Sequence, residues 1–212
     1  MPNGEAMRCL VIGNGKSLKD IPLDFLKRYP SFGSNRIYLL DGFTPDYYAC
    51  VNPLVAKQYS KEIARMKSEK YICAKHAHLI PGSTGIVSIS NALFSFRPDC
   101  YLYEGYTVTY VLLQLAFWKG YREVGLIGVD HDYVFEGAPN QELKAEGEDH
   151  NHFHPDYFSG GVKWNAPDLA KSEEAYEIAR QVYTESGRRI INLTPGSKLD
   201  VFPREDWTSW LE

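Results

Sequence analysis

Arg8-Cys9-Leu10-Val11-Ile12-Gly13-Asn14-Gly15-Lys16-Ser17-Leu18 is the stretch that decides the fold. Its apolar residues run on without the alternation of a half-exposed strand, as expected when helices cover both faces of a parallel sheet. Two glycines end the run. They permit a tight turn and a close approach to a ligand with no Cβ in the way. Amides of this loop, and of the helical segment expected after it, can then point at a phosphate. In an α/β sheet, ligands gather at the carboxyl ends of strands, which is where this loop falls. The loop is neither a Walker loop nor a complete G-x-G-x-x-G, and a plain strand-to-helix turn is the competing reading.

Outward from this stretch, strand-length apolar runs alternate with helical patterns. Residues 17–28 read as a short helical segment, Ser31–Ser34 as a strand and 47–51 as another. Asn52 caps a helix over 53–66 that begins on Pro53, the favoured place for proline. Strand 70–74 follows. Residues 107–119 form a helix apolar almost all round, hence buried, ended by Gly120 and followed by the central strand 124–127. Helix 172–186, with Ser172 as N-cap and Gly187 as C-terminal cap, precedes strand Arg189–Asn192 and a short terminal helix over 207–211. The pattern predicts an α/β fold: a Rossmann-like, mostly parallel sheet with crossover helices, in one nucleotide-binding domain over 1–212. Residues 131–170 are polar and histidine-rich, and are expected to form a long loop or lid insertion.

The bulk composition narrows the class. Hydrophobic residues make up 44% and charged residues 24%, so a sizeable core needs no metal or disulfide staple. The formal net charge is −4 and no run of Lys and Arg marks a nucleic-acid footprint. No stretch approaches the roughly 18 apolar residues of a membrane span. The first residues lack the basic and apolar regions of a signal peptide. Cys9, Cys50, Cys73 and Cys100 are far apart, three of them in apolar runs, which suits buried free thiols. These features predict a cytoplasmic location.

Several groups can carry chemistry. Asn35 and Asn52 each follow a strand, on the side of the glycine loop, and offer uncharged donors and acceptors to ribose or base edges; capping is the alternative. In Gly128-Val129-Asp130-His131-Asp132-Tyr133, the Asp-x-Asp can bind a divalent cation. Alternatively Asp130 only braces the loop while Tyr133 supplies a hydroxyl. In Asp149-His150-Asn151-His152-Phe153-His154, three of the six histidines alternate, which suits a general base or zinc; solvated loop histidines are the bland alternative. Lys198 and Arg204, after the last strand, can meet a phosphate or be ordinary surface charges.

Together these motifs resemble bacterial sialyltransferases that use CMP-sialic acid, and a related group of proteins similar to archaeal 6-hydroxymethylpterin pyrophosphokinase. The resemblance begins at Val11 to Lys19, where such sialyltransferases carry G-N-G-P-S-L-K and this chain has Lys16 for the proline. It continues at Ser34-Asn35 and Val51-Asn52-Pro53, at Gly120-Tyr121 and Glu123 to Asp130, and at Tyr133-Val134-Phe135-Glu136, similar to a family Y-A-F-D. Two departures stand out. Of the family's Thr-Ser pair for the sugar carboxylate, only Thr107 is retained, followed by Val108. Where the family has its catalytic histidine, this chain has Trp164-Asn165.

The resemblance implies an inverting glycosyltransferase with a CMP-activated donor and a carbohydrate or other hydroxyl acceptor. Gly13, Asn14, Gly15, Ser17, Asn35, Asn52, Thr107 and Asp130 would hold the nucleotide. His152 or His154 would be the base, and Tyr133 would steady the leaving phosphate. No cofactor is required in that reading, since the leaving group is a monophosphate. The pyrophosphokinase alternative transfers diphosphate from ATP and needs magnesium on Asp130, Asp132 and Asp149. A non-catalytic nucleotide-binding module is the third reading. Homo-oligomerisation is compatible with all three.

Overall fold

A computed structural model describes residues 7–133, 138–139, 141–144, 149–158 and 161–211. The centre is a seven-stranded sheet made of β1 (Arg8–Ile12), β2 (Ser31–Ser34), β3 (Tyr47–Cys50), β4 (Glu69–Cys73), β5 (Ser83–Ile86), β8 (Glu123–Ile127) and β11 (Arg189–Asn192). Two short strands, β6 (Ser88–Ile89) and β7 (Leu102–Tyr103), pair beside it. The spatial order is β11-β8-β1-β2-β3-β4-β5, and every pairing in this sheet is parallel. The chain lays β1 to β5 down in one direction, then returns to add β8 and β11 on the other side of β1. The order therefore reverses between β1 and β8, which makes this the topological switch point of the sheet.

The unbroken apolar run of β1 is explained by where its side chains go. Successive residues of a strand face opposite ways. Cys9 and Val11 enter one core, with α4 (Val108–Trp118) and α5 (Leu169–Glu185). Leu10 and Ile12 enter the other, with α1 (Leu23–Leu26), α2 (Pro53–Gln58), α3 (Ser60–Arg65) and Trp210. Helix α4 is buried from Thr109 to Phe117, which accounts for its lack of a polar face. Thr107 is its N-cap, and Gly187 follows α5 at φ +66°, the left-handed conformation of a C-terminal cap.

Four expectations need correction. The segment 17–28 is two pieces, a 3-10 turn (Lys16–Asp20) and α1, interrupted before Pro22, which has no N–H to continue a helix. Helix 53–66 breaks at Tyr59 (φ −124°, ψ 24°) into α2 and α3. Helix α5 starts earlier than expected, because Asp168 rather than Ser172 caps it, accepting the Lys171 N–H; Ser172 is buried within the first turns and donates to the Leu169 carbonyl. Finally, 131–170 is not one irregular loop. Among its described residues, β9 (Glu142–Lys144) pairs antiparallel with β10 (Lys163–Asn165), and His152, Phe153 and Tyr157 are buried against the body. Of the cysteines, Cys9 and Cys50 are buried free thiols, Cys73 is half-buried and Cys100 is exposed. Among the described residues no helix is long and apolar enough to cross a membrane.

Candidate active site at the sheet switch point

The two loops at the switch point are bonded to each other. The Gly13 N–H donates to the Ile127 carbonyl at 2.7 Å and the Gly15 N–H to the Gly128 carbonyl at 2.8 Å. The Ser17 N–H donates to Asp130 Oδ2 at 3.1 Å. A Cβ on Gly13 would lie 2.3 Å from the Gly128 oxygen, and one on Gly15 would lie 2.1 Å from Asp130 Oδ2. The glycines are therefore required for loop-to-loop contact, and the expected anion cradle over 13–17 is corrected accordingly. Three of its amides already have protein acceptors, and the Asp130 carboxylate sits where an anion would sit. Burial raises the Asp130 pKa against the opposing pull of its bonds to Ser17. Lys16 is turned outward to Asp132 at 2.8 Å.

Beside this clasp lies a cleft of about 510 Å³ in which the side chains of three consecutive strand ends converge. Asn14 follows β1, Asn35 follows β2 and Asn52 follows β3, and all three line it. Asn14 is fixed by donating from Nδ2 to the carbonyl and hydroxyl of Ser34, at 3.3 and 3.4 Å. The Oδ1 atoms of Asn14 and Asn35 are buried with no hydrogen-bond partner among the described residues, and buried acceptors of this kind call for one. Asn52 accepts the Leu54 N–H at 2.8 Å, so the capping reading holds while the residue also lines the cleft. Thr107 and Thr109, at the start of α4, line it as well.

Backbone strain collects here too. Among the described residues, the non-glycine positions with positive φ are Asn35 (49°), Tyr106 (61°) and His131 (56°). Asn35 and Tyr106 line the cleft, and His131 lines a smaller pocket of about 90 Å³ adjoining it. Asparagine tolerates this conformation, whereas bulky side chains hold it only where the surroundings enforce it.

The histidine segment reaches the cleft by pairing with the glycine loop. Gly15 and His152 form an isolated antiparallel bridge, and the Phe153 N–H donates to the Asn14 carbonyl at 3.0 Å. His152 is 5% exposed, and its Nδ1 lies 2.8 Å from Asp149 Oδ2. Asp149 also accepts the Asn151 and His152 N–H groups, at 2.8 and 3.2 Å. Burial pushes the Asp149 carboxyl up, but the bond and charge of His152 and these two amides outweigh it, and the net shift is downward. The imidazole stacks flat on Tyr157, with centroids 3.9 Å apart and planes 2° apart. Arg36 clamps the segment by donating to the carbonyls of Asp156 and Tyr157. With Nδ1 engaged by Asp149, Nε2 is the ring nitrogen left for proton transfer. Tyr133 also lines the cleft, its ring 5.6 Å from that of His152. Burial raises its pKa, so its hydroxyl stays a proton donor near neutral pH.

The structure thus brings Gly13, Asn14, Asn35, Asn52, Thr107, Tyr133 and His152 to one cleft. Gly15 and Asp130 line only the adjoining pocket. Ser17 lines neither, since its backbone is turned to Asp130. His154 also lines neither: two residues beyond His152 it leaves the clasp, and its Nδ1 accepts the Asp156 N–H at 3.2 Å. The carboxylates named for magnesium each face another partner. Asp130 faces Ser17, Asp132 faces Lys16 and Asp149 faces His152, and among the described residues no three His, Cys, Asp or Glu side chains gather as a metal site would require. Lys198 braces Asp130 through its N–H, and Arg204 pairs with Asp200. Residues 134–136, next to Tyr133 in the family-like motif, lie outside the described residues. Sequence reasoning missed Asp149 as the partner of His152, although the D-x-x-H spacing of an Asx turn is visible at 149–152. Tyr157, like Asp149, stands beside the histidine cluster in the sequence, whereas Arg36 had no comparable signal.

No protein-family model matches this chain, and no curated protein matches its sequence. Solved structures do match in fold. The MAf glycosyltransferase from Magnetospirillum magneticum AMB-1 superposes with a TM-score of 0.61 at 16% identity, over 99% of this chain and 35% of that one. The present chain therefore spans about a third of that protein's length. The sialyltransferase CstII from Campylobacter jejuni, in complex with the substrate analogue CMP-3FNeuAc, superposes with a TM-score of 0.53 at 18% identity, over 93% of this chain and 85% of that one. The likeness is one of fold, shared with glycosyltransferases. Nothing in it favours the pyrophosphokinase half of the resemblance.

Proposed function

We propose that the cleft binds a CMP-activated sugar and that the protein transfers the sugar to an acceptor hydroxyl with inversion, in the manner of a sialyltransferase. One observation carries the proposal: a buried Asp149–His152 pair opens onto the cleft that three strand-end asparagines line. The fold shared with a sialyltransferase whose structure is in complex with the substrate analogue CMP-3FNeuAc supports the choice of donor.

In this reading the asparagines and the start of α4 hold the nucleotide by uncharged donors and acceptors. His152 Nε2 takes the acceptor hydroxyl's proton, and the acceptor oxygen attacks the anomeric carbon on the face opposite the nucleotide. The bond from that carbon to the phosphate oxygen breaks as the new one forms, so the configuration inverts and CMP departs with the electron pair. Asp149 keeps Nδ1 protonated, orients the ring and stabilises the imidazolium as it forms. Tyr133 donates a hydrogen bond to the phosphate oxygen where charge develops. No metal step is needed for a monophosphate leaving group.

The test is CMP release from CMP-sialic acid. His152→Ala should lower it at least about 100-fold, within the range of a lost general base, while His154→Ala stays within about 3-fold of wild type. Equal losses in the two variants would contradict the assignment.

A further inference from the structure

Glu104 stands apart from the other residues of the cleft. It is the one carboxylate among the described lining residues, and neither lysine nor arginine lines the cleft beside it. It follows β7 directly and precedes the left-handed pair Gly105 (φ 54°) and Tyr106, which turns the chain into α4. Its backbone is fixed on both sides: the Glu104 N–H donates to the Ile89 carbonyl at 2.9 Å, and the Glu104 carbonyl accepts the Thr107 N–H at 3.1 Å. Its side chain is fixed as well. Oε1 accepts the Ser88 hydroxyl at 2.6 Å and Oε2 accepts the Ser90 hydroxyl at 3.1 Å. No ion pair to Glu104 occurs among the described residues. Two hydroxyls thus orient the carboxylate while leaving its charge uncompensated.

A carboxylate oxygen has room for more than one donor, and a fixed carboxylate beside a serine hydroxyl matches two neighbouring hydroxyls of a sugar. A phosphate or carboxylate placed against it would meet like charge. The nucleotide phosphate therefore belongs to the asparagine side of the cleft. We infer that Glu104 and Ser90 form a hydroxyl-recognising subsite, which takes the polyol part of a sugar rather than an anionic group. The inference rests on the sugar-transfer reading above and deepens it: it assigns Glu104 as a specificity-determining residue.

The test titrates two probes separately: CMP by calorimetry, and a neutral methyl hexopyranoside by saturation-transfer NMR, with and without CMP present. A dideoxy counterpart of the hexoside, lacking two adjacent hydroxyls, serves as its control. In the wild type the dideoxy compound should bind at least about 5-fold more weakly. In Glu104→Ala the intact hexoside should weaken by a similar factor and lose its advantage over the dideoxy compound, with CMP affinity unchanged. Glu104→Gln, which keeps one acceptor oxygen, should fall between the two. Absence of hexoside binding to the wild type, or equal hexoside affinity in wild type and Glu104→Ala, overturns the inference. Failure of CMP to bind, with the Glu104-dependent hexoside preference intact, overturns the donor assignment and leaves the subsite standing.

Discussion

Gly15→Ala probes the clasp that positions the site. The new Cβ would lie 2.1 Å from Asp130 Oδ2, 2.7 Å from its Cγ and 2.8 Å from the Gly128 carbonyl oxygen. Ordinary contact begins near 3.4 Å, so the carboxylate must retreat by about 1.3 Å. It cannot do so and keep its 3.1 Å bond from the Ser17 N–H, while the Gly128 oxygen is held by the Gly15 N–H at 2.8 Å. Overpacking of this kind costs about 1–3 kcal/mol, and loss of a charge-assisted bond adds about 1.5 kcal/mol. A destabilisation of about 2.5–4.5 kcal/mol follows, which in a chain of this size lowers Tm by about 5–18 °C. Because Gly15 also bridges His152, the displacement reaches the cleft, and CMP affinity should fall with stability. Gly85→Ala supplies the contrast, since its Cβ would meet the Ala77 Cβ at 3.3 Å and the Ala74 Cα and Cβ at 3.4 and 3.7 Å, and should cost less than about 1 kcal/mol. Urea unfolding and calorimetry read both variants. A Gly15→Ala variant within about 0.5 kcal/mol of wild type would refute the clasp.

Two further outcomes concern the Asp149–His152 pair. Asp149→Asn keeps the shape but loses the charge that steadies the imidazolium, so turnover should fall about 10- to 1,000-fold with CMP affinity within about 2-fold of wild type; an unchanged pH–rate profile would show that His152 does not depend on this partner. The folded state depresses the Asp149 pKa below its ordinary 3.8, so this group's contribution to stability is fully present above about pH 5 and declines as pH falls through 4 and below; urea titrations of wild type and Asp149→Asn should converge there, and a constant gap between them would contradict the linkage.

The sheet was legible because its strands are buried on both faces, and burial writes itself into β1 and β8 as continuous apolar runs. The buried helix α4 was legible for the same reason. What escaped was set by tertiary context. β5 is Ser-Thr-Gly-Ile, a strand at the edge of the sheet with little hydrophobic signature. The break at Tyr59, whose ring meets Tyr38 and Arg36, leaves no mark in the helical pattern. At the site, residue types read correctly as strand-end asparagines met in one cleft, because parallel strands deliver their carboxyl ends to a common side. The role of the glycines did not read correctly: a loop free to cradle a ligand and a loop pressed against its neighbour require the same missing Cβ. Alternation placed His150, His152 and His154 on one face, but only the residue bridged to Gly15 is drawn into the cleft.

The most direct measurement is calorimetric titration of CMP into the wild type and into Asn14→Ala and Asn35→Ala, whose buried Oδ1 atoms await a donor. Saturable 1:1 binding to the wild type is expected, with an affinity at least about 10-fold weaker in each variant. No binding to the wild type, or equal affinity in all three proteins, would contradict the donor assignment.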